Sequence, residues 1–192
     1  MHPDQSDRKA ILINGVPASG KSTIARALAE AFHIPIVELD VIKEALFDVL
    51  GIGDRDHNRL LGRASRAVIW SLIPYFPKDA ALVIDIWFNF PPHGWVLEGL
   101  AKAGITRFVE VWCHAERSVL SVRYLSRVGQ RHEGHPGEEY IPELLDVAAR
   151  AQPMNLGDVL LVDTTHPDSV DIQEIISWVA ERLEIPAAGT SA

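Results

Sequence analysis

One octapeptide near the start of this 192-residue chain limits the possible folds more than any other feature. Residues 15–22 read Gly-Val-Pro-Ala-Ser-Gly-Lys-Ser and fit the pattern G-x-x-x-x-G-K-[ST] in full. The apolar run 10–14 precedes it and predicts a buried strand, and Lys21–Phe32 follows with apolar residues at helical spacing. A strand, a glycine-rich turn and a helix in this order indicate a phosphate-binding loop rather than an ordinary turn.

This motif, the Walker A pattern, places many hydrogen-bond donors in a small space, as a polyphosphate requires. Glycines let backbone N–H groups turn inward, and the start of the helix adds a partial positive charge. In this arrangement Lys21 would reach the β- and γ-phosphates, and Ser22 would bind Mg²⁺. The residues of this segment predicted to contact ATP are Gly15, Pro17, Ala18, Ser19, Gly20, Lys21, Ser22 and Thr23.

Short apolar runs alternate with amphipathic segments along the rest of the chain. The further predicted strands cover residues 36–39, 80–86, 107–113 and 158–163. The further predicted helices cover residues 40–50, 58–75, 93–103, 116–128, 142–151 and 168–183. Strands that are apolar throughout and separated by helices predict a three-layer α/β fold, a five-stranded parallel sheet with helices on both faces. Ligands of such a sheet bind beyond the carboxyl ends of its strands.

Composition limits the class of protein further. With 47% hydrophobic and 23% charged residues the chain should be globular, and residues 1–192 suit one domain whose ends, 1–7 and 186–192, are flexible. The net charge of −8 argues against a protein that coats nucleic acid. Cys113 is the single cysteine, so the chain cannot form an internal disulfide. The polar N-terminus and the absence of a long apolar run predict a cytoplasmic protein with no membrane partner.

Asp85 closes the most apolar of the predicted strands. A carboxylate at the end of such a strand can hold Mg²⁺ or one of its waters, although a polar residue can also simply end a strand. Ser22 and Asp85 are therefore the predicted metal ligands.

Asp40 ends the second predicted strand, a position that faces the γ-phosphate across the cleft of a sheet of this kind. A carboxylate there can accept the proton of an attacking hydroxyl and orient it. Capping of the following helix is the alternative, and both roles can hold. Lys43, one helical turn on, would neutralise transferred charge or hold Asp40, unless it is simply solvated.

Arg123, Arg127 and Arg131 recur every four residues and run into a Gly- and His-rich segment that we expect to be mobile. This spacing places them on one face of a helix, and arginine forks match the oxygens of a transferring phosphoryl group. We predict a lid over residues 123–139. Arg127 and Arg131 would act in catalysis beside Lys21, and Arg123 would contact the nucleotide; exposed surface arginines are the alternative.

Four further residues are candidates for ligand contacts. Trp87 and Phe88 follow Asp85 at the cleft edge and could stack on an acceptor, although aromatic residues more commonly pack in the core. Arg63 lies on the helix over the same cleft and would meet an anionic acceptor or water. Thr165 follows the fifth strand and could read adenine or form a plain turn. The predicted substrate-binding residues are Asp40, Lys43, Arg63, Asp85, Trp87 and Phe88.

Taken together, residues 10–183 resemble the small P-loop kinases, and within them the chloramphenicol phosphotransferase-like group. The resemblance rests on residues 15–22, the segment 40–45 (Asp-Val-Ile-Lys-Glu-Ala), the strand end 83–85, the arginine-bearing lid and the segment 162–166 (Val-Asp-Thr-Thr-His). It implies an adenylate-kinase-like fold and ATP-dependent phosphorylation of a hydroxyl, with Asp40 at the position of the base. The acceptor is not implied by the resemblance.

Three functions therefore compete. The first is a kinase that phosphorylates the hydroxyl of a small molecule such as an antibiotic, a nucleoside or a sugar derivative. The second is a polynucleotide 5′-hydroxyl kinase, which the net charge of −8 and the aromatic cleft edge disfavour. The third is a nucleotide-binding regulatory ATPase without kinase activity, which a phosphate-binding loop alone permits.

Overall fold

The computed structural model of the chain describes residues 7–187. Five parallel strands form one sheet in the order β2-β3-β1-β4-β5. The strands are β1 (Arg8–Asn14), β2 (Ile36–Glu38), β3 (Ala81–Asp85), β4 (Ile105–His114) and β5 (Asp158–Asp163). The predicted five-stranded parallel sheet is confirmed, because continuous apolar runs separated by helices leave few other arrangements.

Seven α-helices connect and flank these strands within the described residues. They are α1 (Lys21–Phe32), α2 (Leu39–Leu50), α3 (Arg55–Leu72), α4 (Gly94–Lys102), α5 (Arg117–Arg127), α6 (Ile141–Arg150) and α7 (Ile172–Leu183). The last helix starts later than its apolar pattern predicts. The turn Pro167–Ser169 is a short 3₁₀ helix, and α7 begins only after Asp171, whose carboxylate accepts hydrogen bonds from the next N–H groups.

The core lies on both faces of the sheet. Ile11 and Ile13 of β1 pack with α1 and α7 on one face, whereas Ala10 and Leu12 pack with α3 and α4 on the other. All four side chains are fully buried. Successive residues of a strand point to opposite faces, so a central strand must be apolar at every position.

A third apolar cluster joins α5 and α6 to the turn after β1. Val16 and Ala18 of that turn pack with Leu120 and Tyr124 of α5 and with Leu144 of α6. Burial of these groups is worth roughly 1.5–3 kcal/mol for each large side chain. The cluster therefore places α5 and α6 directly beside the glycine-rich turn.

The chain ends were predicted to be flexible, and residues 1–6 and 188–192 lie outside the described residues. Within the described part, the Asp7 backbone N–H donates to the Lys78 carbonyl over 2.8 Å. None of the helices between residues 7 and 187 has the length and apolar character needed to cross a bilayer.

Candidate active site

The glycine-rich turn depends on backbone conformations that most residues avoid. Gly15 has φ +146° and Gly20 has φ +79°, and Ala18 between them has φ +67°. A Cβ atom on Gly15 would collide with the carbonyl oxygen of Cys113 in β4. Glycine is required at position 15 both for its dihedral angle and for this close approach.

A buried polar network lies directly beneath the turn. The Asn14 carboxamide Oδ1 accepts from the N–H groups of Gly15 (2.8 Å) and Phe88 (3.1 Å), and its Nδ2 donates to Glu110 over 2.7 Å. Glu110, only 1% exposed, also accepts from the backbone N–H of Met154 and Asn155. The network joins the end of β1 to the segments after β3 and before β5. Sequence reasoning missed it, although a carboxylate within an apolar strand was the available signal.

Asp85, the last residue of β3, faces Lys21, the first residue of α1. Lys21 Nζ lies 3.8 Å from Asp85 Oδ1, and Asp85 is 4% exposed. Asp85 Oδ1 and the hydroxyl of Ser19 are both buried without a hydrogen-bond partner among residues 7–187. Buried polar atoms are normally paired, so Asp85 Oδ1 has the capacity to bind an ion or a water in the cavity.

The residues around Asp85 fit a Mg²⁺ ion. Ser22, in the first turn of α1, lines the same cavity as Asp85 and offers a hydroxyl oxygen. No group of three or more His, Cys, Asp or Glu side chains within residues 7–187 could hold a metal by itself. A Mg²⁺ ion here would therefore depend on phosphate and water oxygens in addition to Ser22 and Asp85.

Asp40 lies in the first turn of α2, just beyond β2. The N-cap of α2 is Glu38, so the alternative in which Asp40 caps this helix is wrong. Burial alone would raise the pKa of Asp40, but nearby positive charge outweighs this effect and holds that pKa below its ordinary value. The groups that lower it are, in order, Lys21, His135 when protonated, Arg131 and Lys43. Asp40 is thus ionised and able to accept a proton.

Lys43 is engaged with its neighbours rather than solvated. Its Nζ donates to the Asn58 side chain over 2.8 Å and lies 5.4 Å from the centre of the Phe47 ring. Asn58 in turn donates to the Gly134 carbonyl over 2.6 Å. Burial lowers the pKa of Lys43, which Asp40 opposes. The chain of contacts connects α2 and α3 to the segment after α5.

That segment, which includes Arg131 and His135, folds over α2. Arg131 Nη2 donates to Asp40 over 3.1 Å and to His135 Nδ1 over 3.0 Å. Because a guanidinium only donates, Nδ1 is the acceptor and His135 Nε2 carries the proton that it donates to Glu44 over 2.8 Å. The Phe47 ring stacks on His132 at 5.3 Å between ring centres. In this structure the predicted lid segment contacts Asp40, whose side chain remains 49% exposed.

The other two lid arginines take different positions. Arg127 points into the cavity, and burial lowers its pKa, with the charge of Arg131 adding to that effect. The Arg123 guanidinium donates to the backbone carbonyl of Thr164 over 2.6 Å. Arg123 and Arg127 both border a second, more apolar cavity of about 390 Å³ beside Gly20 and Thr164.

Thr165 does not line either cavity, which corrects its predicted contact with the nucleotide base. Its hydroxyl accepts the N–H of Glu116 over 3.0 Å at the start of α5, and its side chain is buried. The neighbouring Thr164 lines the second cavity instead. The hydrogen bond to Glu116 explains why the two threonines take different positions.

Phe88 also needs correction, because its ring is fully buried in the core. It stacks on Trp95 of α4 at 5.9 Å between ring centres and does not line the cavity. Trp87 does line the cavity, together with Phe90, and their rings meet edge to face at 5.8 Å. The predicted aromatic edge therefore consists of Trp87 and Phe90.

The main cavity has a volume of about 680 Å³ and brings most of the predicted residues together. Its walls are the glycine-rich turn, α2, α3, the segment after β3 and the lid. The predicted residues that line it are Pro17, Ala18, Gly20, Lys21, Ser22, Thr23, Asp40, Lys43, Arg63, Asp85, Trp87, Arg127 and Arg131. Lining residues that the sequence analysis did not single out as a site include Arg55, Asn58, Tyr124, Tyr140 and Arg150.

Comparison with known proteins identifies the family of the chain. A family model described as an AAA domain matches residues 11–150. A search of the curated proteins found no match. Among solved structures, a candidate kinase from Chloroflexus aurantiacus J-10-fl has a TM-score of 0.78 and 30% sequence identity, over 93% of this chain and 99% of that chain.

Two more distant structures share the fold. A gluconokinase from Sinorhizobium meliloti 1021 has a TM-score of 0.57 and 21% identity, over 94% of this chain and 93% of that chain. Kti12 from Chaetomium thermophilum, solved in complex with ADP-AlF₃, has a TM-score of 0.64 and 16% identity, over 91% and 98%. The expected resemblance to small P-loop kinases is confirmed. The chain belongs to the AAA domain family, with the kinase-like P-loop fold of nucleotide-binding proteins.

Proposed function

We propose that the protein is an ATP-dependent kinase that transfers the γ-phosphate to a hydroxyl group of a small molecule. The observation that carries this proposal is the position of Asp40. An ionised carboxylate, held by Arg131, shares one cavity with the lysine of the glycine-rich turn and with the orphaned Asp85 oxygen. A carboxylate opposite the phosphate loop can orient an attacking hydroxyl and accept its proton.

The proposed ATP-binding part of the site is formed by the glycine-rich turn and the residues around it. The backbone N–H groups of residues 15–23 would bind the phosphates, with Lys21 at the β- and γ-phosphates. The second cavity, between Arg123, Pro167 and Ile172, has the apolar lining that suits an adenine ring. Mg²⁺ held by Ser22 and Asp85 would neutralise part of the phosphate charge. The need for ATP favours a cytoplasmic location.

The remaining residues have proposed roles in the transfer of the phosphoryl group. The acceptor oxygen forms a bond to the γ-phosphorus while the bond from that phosphorus to the β–γ bridging oxygen breaks, and ADP leaves with the electron pair. Asp40 receives the hydroxyl proton and aligns the acceptor. Arg127 and Arg131 stabilise the charge that develops on the transferring phosphoryl oxygens. Exclusion of water, which would otherwise compete as the acceptor, would require further closure over Asp40, whose side chain is 49% exposed here.

The proposal also specifies which class of molecule accepts the phosphate. Trp87 and Phe90 line one wall of the cavity, where they would contact an apolar or ring-shaped part of the acceptor. Proteins of known structure that share this fold include a gluconokinase, a sugar kinase and a tunicamycin resistance protein. An antibiotic, a nucleoside or a sugar derivative fits this range.

The test is phosphoryl transfer from γ-labelled ATP to a panel of hydroxyl compounds, with products separated from free phosphate. We expect a labelled product that requires Mg²⁺ and is lost in a Lys21→Met variant. Labelled free phosphate as the only product, released faster when a protein partner is added, would instead support a regulatory ATPase.

A further inference from the structure

We infer that the phosphate acceptor carries an anionic group, a phosphate or a carboxylate, and that Arg63 and Arg66 bind this group in the main cavity. The inference rests on the proposed function, because it names the substrate class of the same site. Both arginines lie on α3, on the wall of the cavity that the glycine-rich turn does not form.

The first observation is the charge of the cavity. Nine lysine and arginine side chains line it against four carboxylates, an excess of five positive charges, in a chain whose net charge is −8. A Mg²⁺-bound ATP would neutralise only about two of these. A low-dielectric cleft lined by one sign of charge concentrates ligands of the opposite sign. The remaining positive charge would therefore favour the binding of a second anion in addition to the nucleotide.

The second observation is where the excess charge lies. Four arginines of α3, spaced by three or four residues, line the cavity on one helical face: Arg55, Arg59, Arg63 and Arg66. Arg55 is paired with Glu143 at 2.6 Å, and Arg59 lies 3.5 Å from Asp56. Among residues 7–187, neither Arg63 nor Arg66 has a carboxylate partner.

Arg66 occupies a position that is costly for an unpaired charge. Its guanidinium is half-buried over the Trp95 ring, 4.7 Å from the ring centre. Burial lowers the pKa of Arg66, and the neighbouring charge of Arg63 lowers it further. A second anion between the two guanidinium groups would relieve this repulsion, and two arginine forks match the oxygens of a phosphate or carboxylate.

A small molecule fits this cavity better than a polynucleotide. Asn58 of α3 donates to the Gly134 carbonyl of the lid segment, and Arg55 pairs with Glu143 of α6, so two bridges cross from α3 to the lid side. A nucleic-acid strand would have to displace these bridges and approach a surface of net negative charge. A cavity of about 680 Å³ holds the phosphates of a nucleotide and one small acceptor.

A binding experiment separates this inference from the proposed function. Protein saturated with Mg²⁺ and AMP-PNP, which fills the phosphate loop, is titrated with inorganic phosphate by calorimetry. The Arg63→Gln/Arg66→Gln variant is compared with an Arg107→Gln/Arg117→Gln control, which removes the same charge at one ion-paired and one exposed position outside the main cavity. We expect phosphate to bind the control as it binds the wild type, and at least 10-fold more weakly to the variant. Equal affinity in all three proteins, or no saturable binding to the wild type, overturns the inference.

A kinetic experiment uses acceptors in matched anionic and neutral forms: ribose 5-phosphate and ribose, gluconate and glucitol, AMP and adenosine. We expect the anionic member of a pair to be phosphorylated, with a KM at least 10-fold higher in the Arg63→Gln/Arg66→Gln variant and a kcat within about twofold.

Neutral members accepted equally well overturn the anionic site and leave the kinase proposal standing. A 5′-hydroxyl oligonucleotide accepted in place of every small anion overturns the choice of a small molecule. Failure to bind AMP-PNP counts against the proposed function, and the phosphate titration of the two variants still tests the arginines.

Discussion

Arg131 donates a hydrogen bond of 3.1 Å to Asp40, although the two residues lie 91 positions apart in the sequence. The bond joins the lid to the start of α2. The side chains of Arg131 and Asp40 are 21% and 49% exposed, so the ion pair is partly solvated. Such pairs contribute less than about 1 kcal/mol to stability. We therefore interpret the contact with Arg131 as one that orients the proposed base, Asp40, rather than one that stabilises the fold.

Replacing Arg131 tests this interpretation. We expect Arg131→Gln to lower kcat on the order of 10²-fold, because it removes a charge from the transferring phosphoryl group and a partner from Asp40. The free energy of unfolding should change by less than about 1 kcal/mol. Steady-state kinetics and urea unfolding measure the two effects, with Arg117→Gln on the exposed start of α5 as the control. A kcat equal to that of the control would remove Arg131 from the mechanism.

His135 gives the lid a defined response to acid. Burial lowers the pKa of His135 below its ordinary value of 6.5, and Arg131 and Lys43 add to this while Asp40 and Glu44 oppose it. The folded protein therefore binds fewer protons at this site than the unfolded chain, so stability falls as the pH drops below 6.5. Asp40, whose pKa is lowered, loses its contribution only when the pH falls below 3.8 and through its folded pKa.

The corresponding variant is His135→Gln. We expect its free energy of unfolding to fall less than that of the wild type between pH 7.5 and pH 5.5, because the protonation penalty is absent. Urea unfolding at both pH values measures the difference, and His166→Gln, at an exposed position, serves as the control. An equal fall in His135→Gln and in the wild type would mean that His135 is not the group responsible.

The Glu110 network supports the glycine-rich turn from below. We expect Glu110→Ala to lower the free energy of unfolding by about 3 kcal/mol, because it leaves Asn14 and the N–H groups of residues 154 and 155 without an acceptor. Glu110→Gln should cost about 1–3 kcal/mol, since both carboxylate oxygens accept from N–H donors and an amide would turn one donor toward another. Denaturant unfolding with Glu30→Gln as the control measures both. Changes under 0.5 kcal/mol in both variants would contradict this account.

The Cys113 thiol should not react with thiol reagents while the protein is folded. Burial raises the pKa of this thiol to about 12, so almost no thiolate is present at pH 8. We expect 5,5′-dithiobis(2-nitrobenzoate) to label it only after unfolding in guanidinium chloride, whereas an exposed cysteine introduced by Ser118→Cys reacts at once. Rapid labelling of native wild-type protein would show that β4 opens beneath the glycine-rich turn.

Local sequence pattern was sufficient for the sheet and the glycine-rich turn. Apolar runs and a contiguous motif carry their information within a few residues, so residues 15–22 and the five strands could be predicted from spacing alone. The positions of Asp40 and Asp85 in the main cavity could also be predicted, because both residues lie at strand ends that meet at one edge of the sheet.

Contacts between distant segments account for the errors and omissions. Thr165 and Thr164 are indistinguishable in the sequence, and only the N–H of Glu116 decides which of them turns away from the cavity. Phe88 is directed to the core by the position of α4. The predicted Arg63 does line the cavity, but whether an arginine of α3 is paired depends on carboxylates elsewhere, such as Glu143 on α6. No periodicity along a single helix contains that information.

The most direct test of the account is the Asp40→Asn variant, measured for both binding and transfer. The account predicts an AMP-PNP Kd within about threefold of the wild type and a kcat lower on the order of 10³-fold, because the amide cannot take up the acceptor proton. A variant that turns over normally, or that loses nucleotide affinity while its bound complex still transfers phosphate at the wild-type rate, would contradict the role of Asp40 and with it the proposed reaction.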